Sequence, residues 1–333
     1  MKHRVFVLET GCAFEAGGDE SLLDAATRQG VRLPHECTFG GCGTCRIRLV
    51  AGNVAYEEMP MALSDEEAQA GFALACQARA CSDLSISVPA TTAPESQRRS
   101  SVVRGLRQLA PDVVNLELEV EAESLDYRPG QYMNVLLPGG GHRSFSMASR
   151  PAGNRVDFHV RRVPGGRFTD GALRQLRAGD RLEVEIPLGG FRLHEEDYRP
   201  LLMVATGTGL APLKSMLETL MDDEDCPPVS LYWGMRTESD LYLADEIRRW
   251  GERLYDFSFV PVLSRGSDTW NGRRGYVQDA VERDLPDLSE HAVYLCGSPA
   301  MISDAKRRFL ARGASAEHVY ADGFSFQHEG ALA

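Results

Sequence analysis

Three cysteines fall within the nine residues Cys37-Thr38-Phe39-Gly40-Gly41-Cys42-Gly43-Thr44-Cys45. Four residues separate the first two and two separate the next pair. A further cysteine, Cys76, follows after thirty intervening residues. This is an established spacing for the four thiolates of a binuclear iron–sulfur cluster, and the chemistry accounts for the rest of the loop. Bridging sulfides are hydrogen-bond acceptors that need N–H donors. Gly40, Gly41 and Gly43 let the backbone wrap closely and aim its amides inward, because glycine has no Cβ and tolerates positive φ. A structural zinc site takes short paired spacings such as C-x2-C. The four-residue spacing and the distant fourth cysteine favour iron and sulfide, with Cys37, Cys42, Cys45 and Cys76 as the expected ligands of a 2Fe-2S cluster.

A chain of 333 residues is long enough for two or three domains. No stretch approaches the roughly 18 apolar residues that a membrane span needs. Met1-Lys2-His3-Arg4 passes directly into Val5-Phe6-Val7-Leu8 without an apolar leader. Neither a membrane anchor nor export is expected. Cys12, Cys81, Cys226 and Cys296 are too scattered for a disulfide scaffold, which points to a reducing cytoplasm. A net charge of −12 argues against nucleic acid and anionic membrane as partners. The charge is unevenly spread, at −5 over 1–93, +1 over 94–196 and −8 over the remainder. An acidic, cluster-bearing segment suits docking to a basic protein surface; plain solubility explains it equally well.

Residues 1–93 read as a small mixed unit. Strand-like Val5–Leu8 is followed by a short helix over 21–29, with Ser21 as N-cap and Gly30 as the stop. The alternation Arg46-Ile47-Arg48-Leu49-Val50 reads as a strand. Ser64 stands three residues before Glu67, as in a capping box, and strand-like Leu84–Val88 closes the unit. This segment resembles a plant-type ferredoxin domain of the β-grasp kind. Residues 89–97 form a linker rich in Pro, Ala, Thr and Ser, whose end is placed at 94–100. Over 101–196, Val113–Val120, Tyr132–Leu137, Val156–Val163 and Arg181–Ile186 alternate or run apolar between turn signals, as in an antiparallel barrel. From 197 to 333, buried runs such as Leu201-Leu202-Met203-Val204-Ala205, Val229–Trp233, Phe257–Val262 and Val293–Cys296 alternate with helical stretches, as in a doubly wound parallel sheet. The expected fold class is thus a multidomain chain, α+β followed by α/β.

Arg143-Ser144-Phe145-Ser146 follows a barrel-like strand, with Pro129-Gly130-Gln131-Tyr132 upstream. His159-Val160-Arg161-Arg162 and Gly165-Gly166-Arg167-Phe168-Thr169 lie downstream. The set resembles the flavin-binding domain of the ferredoxin reductase superfamily. The resemblance implies FAD, with Arg143 on the flavin phosphate, Phe145 (where tyrosine is commoner) against the ring, and Ser146 near its N5. Ser144, His159 and Val160 would line the same site. A second phosphate would sit at a helix start, held by Gly166, Phe168 and Thr169 with Arg167 and Arg161. The physical basis is sound: arginine makes bidentate contacts to phosphate, and a helix N-terminus favours an anion.

Thr206-Gly207-Thr208-Gly209-Leu210-Ala211-Pro212 follows a buried strand and opens a helix, the context of a dinucleotide loop. Pro212 occupies the third glycine position of G-x-G-x-x-G, so the generic fingerprint fails. The stretch instead resembles the Gly-Thr-Gly-x-Ala-Pro loop of ferredoxin-reductase nucleotide domains, with Thr206 where a further glycine is common. By the same resemblance, Gly207, Thr208, Gly209 and Leu210 would bind the dinucleotide. Cys296-Gly297-Ser298-Pro299 would bring Cys296, Gly297 and Pro299 beside the nicotinamide, and Phe324 would cover the flavin and yield to the nicotinamide. Asp240 reads as structural. Ser264, Arg265 and Arg236 are candidates for a 2′-phosphate; relatives that feed aromatic-ring oxygenases mostly use NADH, so NADH is expected, with NADPH as the alternative.

The three motif sets occur in one family order and cover essentially the whole chain. The chain resembles the reductase component of bacterial multicomponent oxygenases, similar to those serving Rieske-type aromatic ring dioxygenases in aromatic compound catabolism. The implied partner is a separate terminal oxygenase, and Ser146, Cys296 and Phe324 are the implied catalytic positions. Same-build reductases for a di-iron or haem-thiolate monooxygenase or a deoxysugar dehydratase are the alternatives. A cluster-based redox sensor is a further one, though a sensor needs no hydride donor. Cys42→Ser is expected to abolish the cluster's visible absorption while NAD(P)H-to-ferricyanide activity and flavin content persist; joint loss of all three would contradict a modular chain.

Overall fold

A computed structural model describes residues 2–35, 40, 43–60, 62–88 and 96–324. Cys37 and Cys42 lie outside the described residues, as does 89–95 of the linker. The N-terminal unit comprises β1 (Lys2–Val7), β2 (Ala13–Gly17), α1 (Leu22–Arg28), β3 (Arg46–Ala51), β4 (Val54–Ala55), α2 (Asp65–Gln69), β5 (Phe72–Leu74), β6 (Arg79–Ala80) and β7 (Leu84–Ser87). Its five-stranded sheet runs β2-β1-β7-β3-β5. Only the central β1–β7 pair is parallel, the arrangement of a β-grasp. α1 covers the sheet because Leu22, Leu23, Ala25 and Ala26 fall on one face and pack with Val5, Phe14, Ile47 and Ile86. Ser21 caps it by accepting the Asp24 amide at 3.1 Å. At α2 the capping box is complete: Ser64 Oγ accepts the Glu67 amide (3.1 Å) and Glu67 Oε2 accepts the Ser64 amide (2.8 Å).

The middle unit contains β8 (Gln97–Ala110), β9 (Val113–Val120), β10 (Tyr132–Leu136), β11 (His142–Ser146), β12 (Arg155–Arg161), α3 (Leu173–Gln175) and β13 (Arg181–Leu188). The antiparallel order is β11-β10-β13-β8-β9-β12, and a bridge between Met147 and Phe158 joins the two outer strands into a barrel. Alternate residues Leu116, Leu118 and Val120 of β9 point inward and are fully buried, with Met133, Val135 and Phe158 opposite. β8 begins earlier than expected. Residues 97–100, read from composition as the end of the linker, pair with β13 from Gln97↔Ile186 to Ser100↔Glu183; this pairing overrides their polar character.

The C-terminal unit alternates β14 (Leu201–Thr206), α4 (Leu210–Leu220), β15 (Val229–Met235), α5 (Ala244–Trp250), β16 (Phe257–Leu263), β17 (Arg273–Arg274), α6 (Val277–Asp284), β18 (Ala292–Gly297), α7 (Pro299–Leu310) and β19 (Val319–Gly323). All strands are parallel, in the order β17-β16-β15-β14-β18-β19. β14 is apolar throughout Leu201–Ala205 because it is buried on both faces: Met203 and Ala205 face one core, Leu202 and Val204 the other. The chain winds outward from β14 in both directions, so the C-terminal ends of β14 and β18 form the switch point where such sheets bind ligands. No described helix is long and apolar enough to cross a membrane.

Candidate flavin, nucleotide and cluster sites

At the switch point two loops lock together. Ala205 is in register with Cys296, and Gly207–Gly209 make one tight turn into α4. A Cβ on Gly209 would lie 2.3 Å from the Cys296 carbonyl oxygen, and one on Gly297 only 2.4 Å from Thr206 Oγ1. These two glycines are therefore required by loop-on-loop packing, whatever ligand they approach. Thr206, standing where a further glycine is common, accepts the Ser298 amide at 2.9 Å. Trp233 Nε1 donates to the Gly207 carbonyl at 2.9 Å. Gly207 itself has φ +59°, and its missing side chain leaves room for the Arg161 guanidinium, 3.3 Å from where a Cβ would stand.

Thr208 is half-buried and Leu210 fully buried in the core beneath the loop. Pro299 opens α7, where a missing amide costs nothing. Cys296 is completely buried; burial, with Asp322 adding to it, pushes its thiol well up, so it stays protonated. Phe324 donates its amide to the Gly297 carbonyl at 2.7 Å and packs its half-buried ring on the same core as Cys296. The fold thus brings Gly207, Gly209, Cys296, Gly297 and Phe324 together.

The barrel-side residues lie in β11, β12 and the turn before α3. The tetrapeptide expected to follow a strand is itself strand β11. Ser144 Oγ donates to Asn134 Oδ1 (2.8 Å), Arg143 donates to the His142 carbonyl (2.8 Å), and Ser146 is buried opposite Tyr132. Phe145 meets Phe168 at 5.4 Å, tilted by 44°. Phe168 and Val160 are barrel core, at 1% and 0% exposure, so a cofactor meets at most their backbone. Gly166 leads into a wide helical turn, Arg167–Ala172. There Thr169 Oγ1 accepts the Val163 amide (3.3 Å) and Arg167 reaches the Pro138 carbonyl (3.1 Å).

Residues outside every motif join the two halves. Lys214, inside the largely apolar helix α4, buries its ammonium against the Ala148 carbonyl (3.1 Å) and its i+4 partner Glu218 (2.6 Å). Beside it, Ser215 Oγ donates to the Ser149 carbonyl at 2.6 Å. These contacts hold the chain two and three residues beyond Ser146 against the helix that starts at the nucleotide loop. The signal was present, since a lysine inside Leu210-Ala211-Pro212-Leu213-Lys214-Ser215-Met216-Leu217 demands a buried partner. His159 is also spent on the junction: its Nδ1 lies 3.2 Å from the Tyr242 hydroxyl and its ring stands edge-on to Tyr242 at 5.3 Å. Burial, with Lys214 and Arg107 adding to it, pushes His159 down to about 3, so the imidazole is neutral. Asp240, expected to be structural, accepts the Thr237 amide at 2.9 Å.

The fit to the implied groups rests on donor chemistry and on unpaired polar atoms. Arg161 Nε lies 3.0 Å from Asp112 Oδ2 as an ion pair without hydrogen-bond alignment. Among the described residues, buried Asp112 Oδ1 and Arg162 Nε have no hydrogen-bond partner. The Arg161 guanidinium beside Gly207 thus retains a donor without an aligned partner among the described residues, which suits an anionic ligand. On the cluster side, the Cys45 and Cys76 sulfurs approach to 3.1 Å, buried and unbridged. Gly40 (φ +78°) and Gly43 (φ +81°) give the loop its left-handed turns, and a Cβ on Gly40 would fall 2.7 Å from Pro60 Cβ. Two converging thiols, one of them ending a glycine loop, suit a thiolate-held cluster. The loop also meets the rest of the chain, since the Thr44 methyl lies 3.8 Å from where a Cβ on Gly190 would stand.

A cluster loop, a flavin-type barrel and a doubly wound nucleotide sheet joined at their mouths define an NAD(P)H-dependent electron-transfer oxidoreductase. Family models agree: residues 5–81 match the 2Fe-2S iron–sulfur cluster binding domain, 103–193 the oxidoreductase FAD-binding domain, and 203–307 the oxidoreductase NAD-binding domain. The chain is 34% identical to the reductase component 1 of terephthalate 1,2-dioxygenase from Comamonas over 331 residues, 98% of each chain. It is 32% identical to the CDP-6-deoxy-L-threo-D-glycero-4-hexulose-3-dehydrase reductase of Yersinia pestis, over 97% of this chain and 99% of that one. Among solved structures, a cytochrome P450 reductase of Amycolatopsis superposes with a TM-score of 0.72 at 35% identity, over 97% and 98% of the two chains. The chain belongs to this family of three-domain ferredoxin-type reductases, which carry a 2Fe-2S cluster, FAD and a nicotinamide coenzyme.

Two outcomes follow from this geometry. Gly209→Ala is expected to force the Cys296 loop away and raise the KM for the nicotinamide coenzyme by about tenfold or more, a loss of roughly 1.4 kcal/mol, with flavin content unchanged; steady-state kinetics with ferricyanide checks it. His159 is held low when folded, so the unfolded chain takes up a proton below about pH 6.5 that the folded chain refuses until about pH 3. Its contribution is complete above that window, and stability falls by at most about 1.4 kcal/mol per pH unit on acidification through it. Urea unfolding at pH 7 and pH 5 is expected to show a shallower pH slope in His159→Gln than in wild type.

Proposed function

We propose that this chain takes reducing equivalents from NADH and delivers them singly, through FAD and the cluster, to a separate terminal oxygenase of the Rieske aromatic ring-hydroxylating class. The observation that carries this reading is end-to-end similarity to the reductase component of terephthalate 1,2-dioxygenase. When bound, FAD supplies the exchange between a two-electron hydride donor and the one-electron cluster. The chain's own residues bind and orient. Arg143 would pair with the flavin phosphate, and the amides from Gly166 through Thr169, with Arg167, would hold the second. Ser146 would hydrogen-bond the ring edge, with Phe145 and Phe324 flanking the ring. Gly207, Thr208, Gly209 and Leu210 would set the start of α4 against the coenzyme pyrophosphate, helped by Arg161. Cys296, kept a neutral thiol by burial, would stand beside the nicotinamide with Gly297 and Pro299, and Phe324 would have to move aside. Cys37, Cys42, Cys45 and Cys76 would hold the cluster.

In this reading the chain divides at 1–93, 101–196 and 197–333, with the first barrel strand reaching back to Gln97, and works in the cytoplasm, in keeping with the exposed, unbridged Cys12 and Cys81. A different acceptor is the second reading, favoured by comparable identity to a dehydrase reductase and to a P450 reductase. The deciding experiment is an anaerobic visible titration with NADH and, separately, NADPH, followed by mixing the reduced protein with representative acceptors. Bleaching by about three electrons, two for flavin and one for the cluster, is expected, faster with NADH. Reoxidation by a Rieske oxygenase component at least about tenfold faster than by a P450 or a dehydratase would support the acceptor assignment. A faster reaction with either of the others would transfer it.

A further inference from the structure

Glu67 serves two domains with one carboxylate. Its Oε2 completes the capping box of α2. Its Oε1 receives Arg46 Nη1 at 3.2 Å from the same domain and Lys306 Nζ at 3.4 Å from α7 of the nucleotide domain. Lys306 Nζ also donates to the Ala62 carbonyl at 3.0 Å. The side chain of Glu67 is wholly buried, that of Lys306 is 3% exposed and that of Arg46 18%. Arg46 crosses the boundary in the other direction, donating to the Val319 carbonyl at 3.2 Å and to that of Ala316. Arg48 pairs with Glu317 at 2.8 Å on the rim.

We propose that Arg46, Glu67 and Lys306 form a catch that holds the β-grasp domain on the nucleotide domain in the arrangement in which flavin and cluster exchange electrons. The proposal rests on the reductase reading above. The position of Arg46 is the first argument, since it directly follows the cluster ligand Cys45 and is tied to the start of β19. That strand ends at Gly323, beside Phe324. A continuous path thus runs from Cys45 through Arg46 and along β19 to Phe324, the residue assigned to the flavin face. The second argument is physical. With the domains apart, Lys306 would be solvated on α7, and Glu67 would keep its capping role. Docking buries both, and a buried charge is tolerated only where its partners stand at defined positions. An apolar contact tolerates sliding, whereas two cations on one carboxylate, each also bonded to carbonyls of Ala62, Ala316 or Val319, specify a single register. Arg46 is further located by Phe72, whose ring centre lies 3.9 Å from its guanidinium carbon.

The test uses the full-length holoprotein and Lys306→Met, which removes the charge and leaves the capping box intact. In stopped-flow with NADH, flavin bleaching is expected to keep its wild-type rate, while subsequent cluster reduction slows by about tenfold or more. Small-angle scattering is expected to show a larger radius of gyration than wild type, and Lys306→Arg is expected to restore both readouts in large part. Wild-type cluster reduction and wild-type scattering in Lys306→Met would overturn the proposal. Should that variant fail to fold, Glu67→Gln carries the same test from the other side, because glutamine still closes a capping box. Scattering reports on the catch independently of electron flow. A wild-type protein whose flavin is not reduced by NADH would therefore sink the reductase reading and leave the domain arrangement still tested.

Discussion

The contact between the ends of β14 and β18 is the constraint on which the rest of this molecule depends. The two loops lie so close that neither Gly209 nor Gly297 could carry a methyl group, and the Thr206 hydroxyl ties one to the other through the Ser298 amide. A parallel doubly wound sheet always leaves a crevice where its strand order reverses. Here the crevice has a floor of interlocked backbone, and its position is not negotiable. α4 and α7 both start from that floor, so their directions are set there. Phe324 is tied to it through the Gly297 carbonyl.

The two helices then repeat one device. Each carries a buried lysine that reaches into another domain: Lys214 of α4 to the barrel carbonyl of Ala148, Lys306 of α7 to the β-grasp carbonyl of Ala62. Each ammonium is also paired with a carboxylate, Glu218 in one case and Glu67 in the other. Burying an ammonium is costly, and removing its partner from a buried pair costs about 3–5 kcal/mol, so such a contact forms in one geometry or not at all. The nucleotide domain is thus the hub. Its switch point fixes two helix axes, and the helices fix the barrel and the β-grasp by directional polar contacts.

Much of the fold was legible locally. The helix read over 21–29 is found at Leu22–Arg28 with Ser21 as its cap, and the capping box at Ser64 and Glu67 and strand Val113–Val120 are found as read, all obeying short-range rules of periodicity and capping. Elements whose stability comes from distant partners were not legible. Gln97–Ser100 is polar and looked like linker, yet it is a strand because β13 pairs with it. The same division runs through the site. Gly207, Gly209 and Cys296 carry motifs, whereas Lys214, Tyr242, Arg46 and Lys306 carry none, because a residue that acts across a domain boundary has its partner dozens to hundreds of positions away.

The sequence by itself determined the three domain types and the chemistry each can hold, because cluster ligation, glycine turns and strand-to-helix loops are written in residues a few positions apart. It also held one lysine, Lys214, inside an apolar run, which requires buried partners. Only the tertiary structure decided which partners those are, that Gly209 and Gly297 are required by each other's loops, and that Glu67 joins two domains as well as capping a helix. Local spacing constrains the backbone through short-range sterics and hydrogen bonds. The match between surfaces far apart in the chain is settled only when burial forces every charged and polar group on them to find its counterpart.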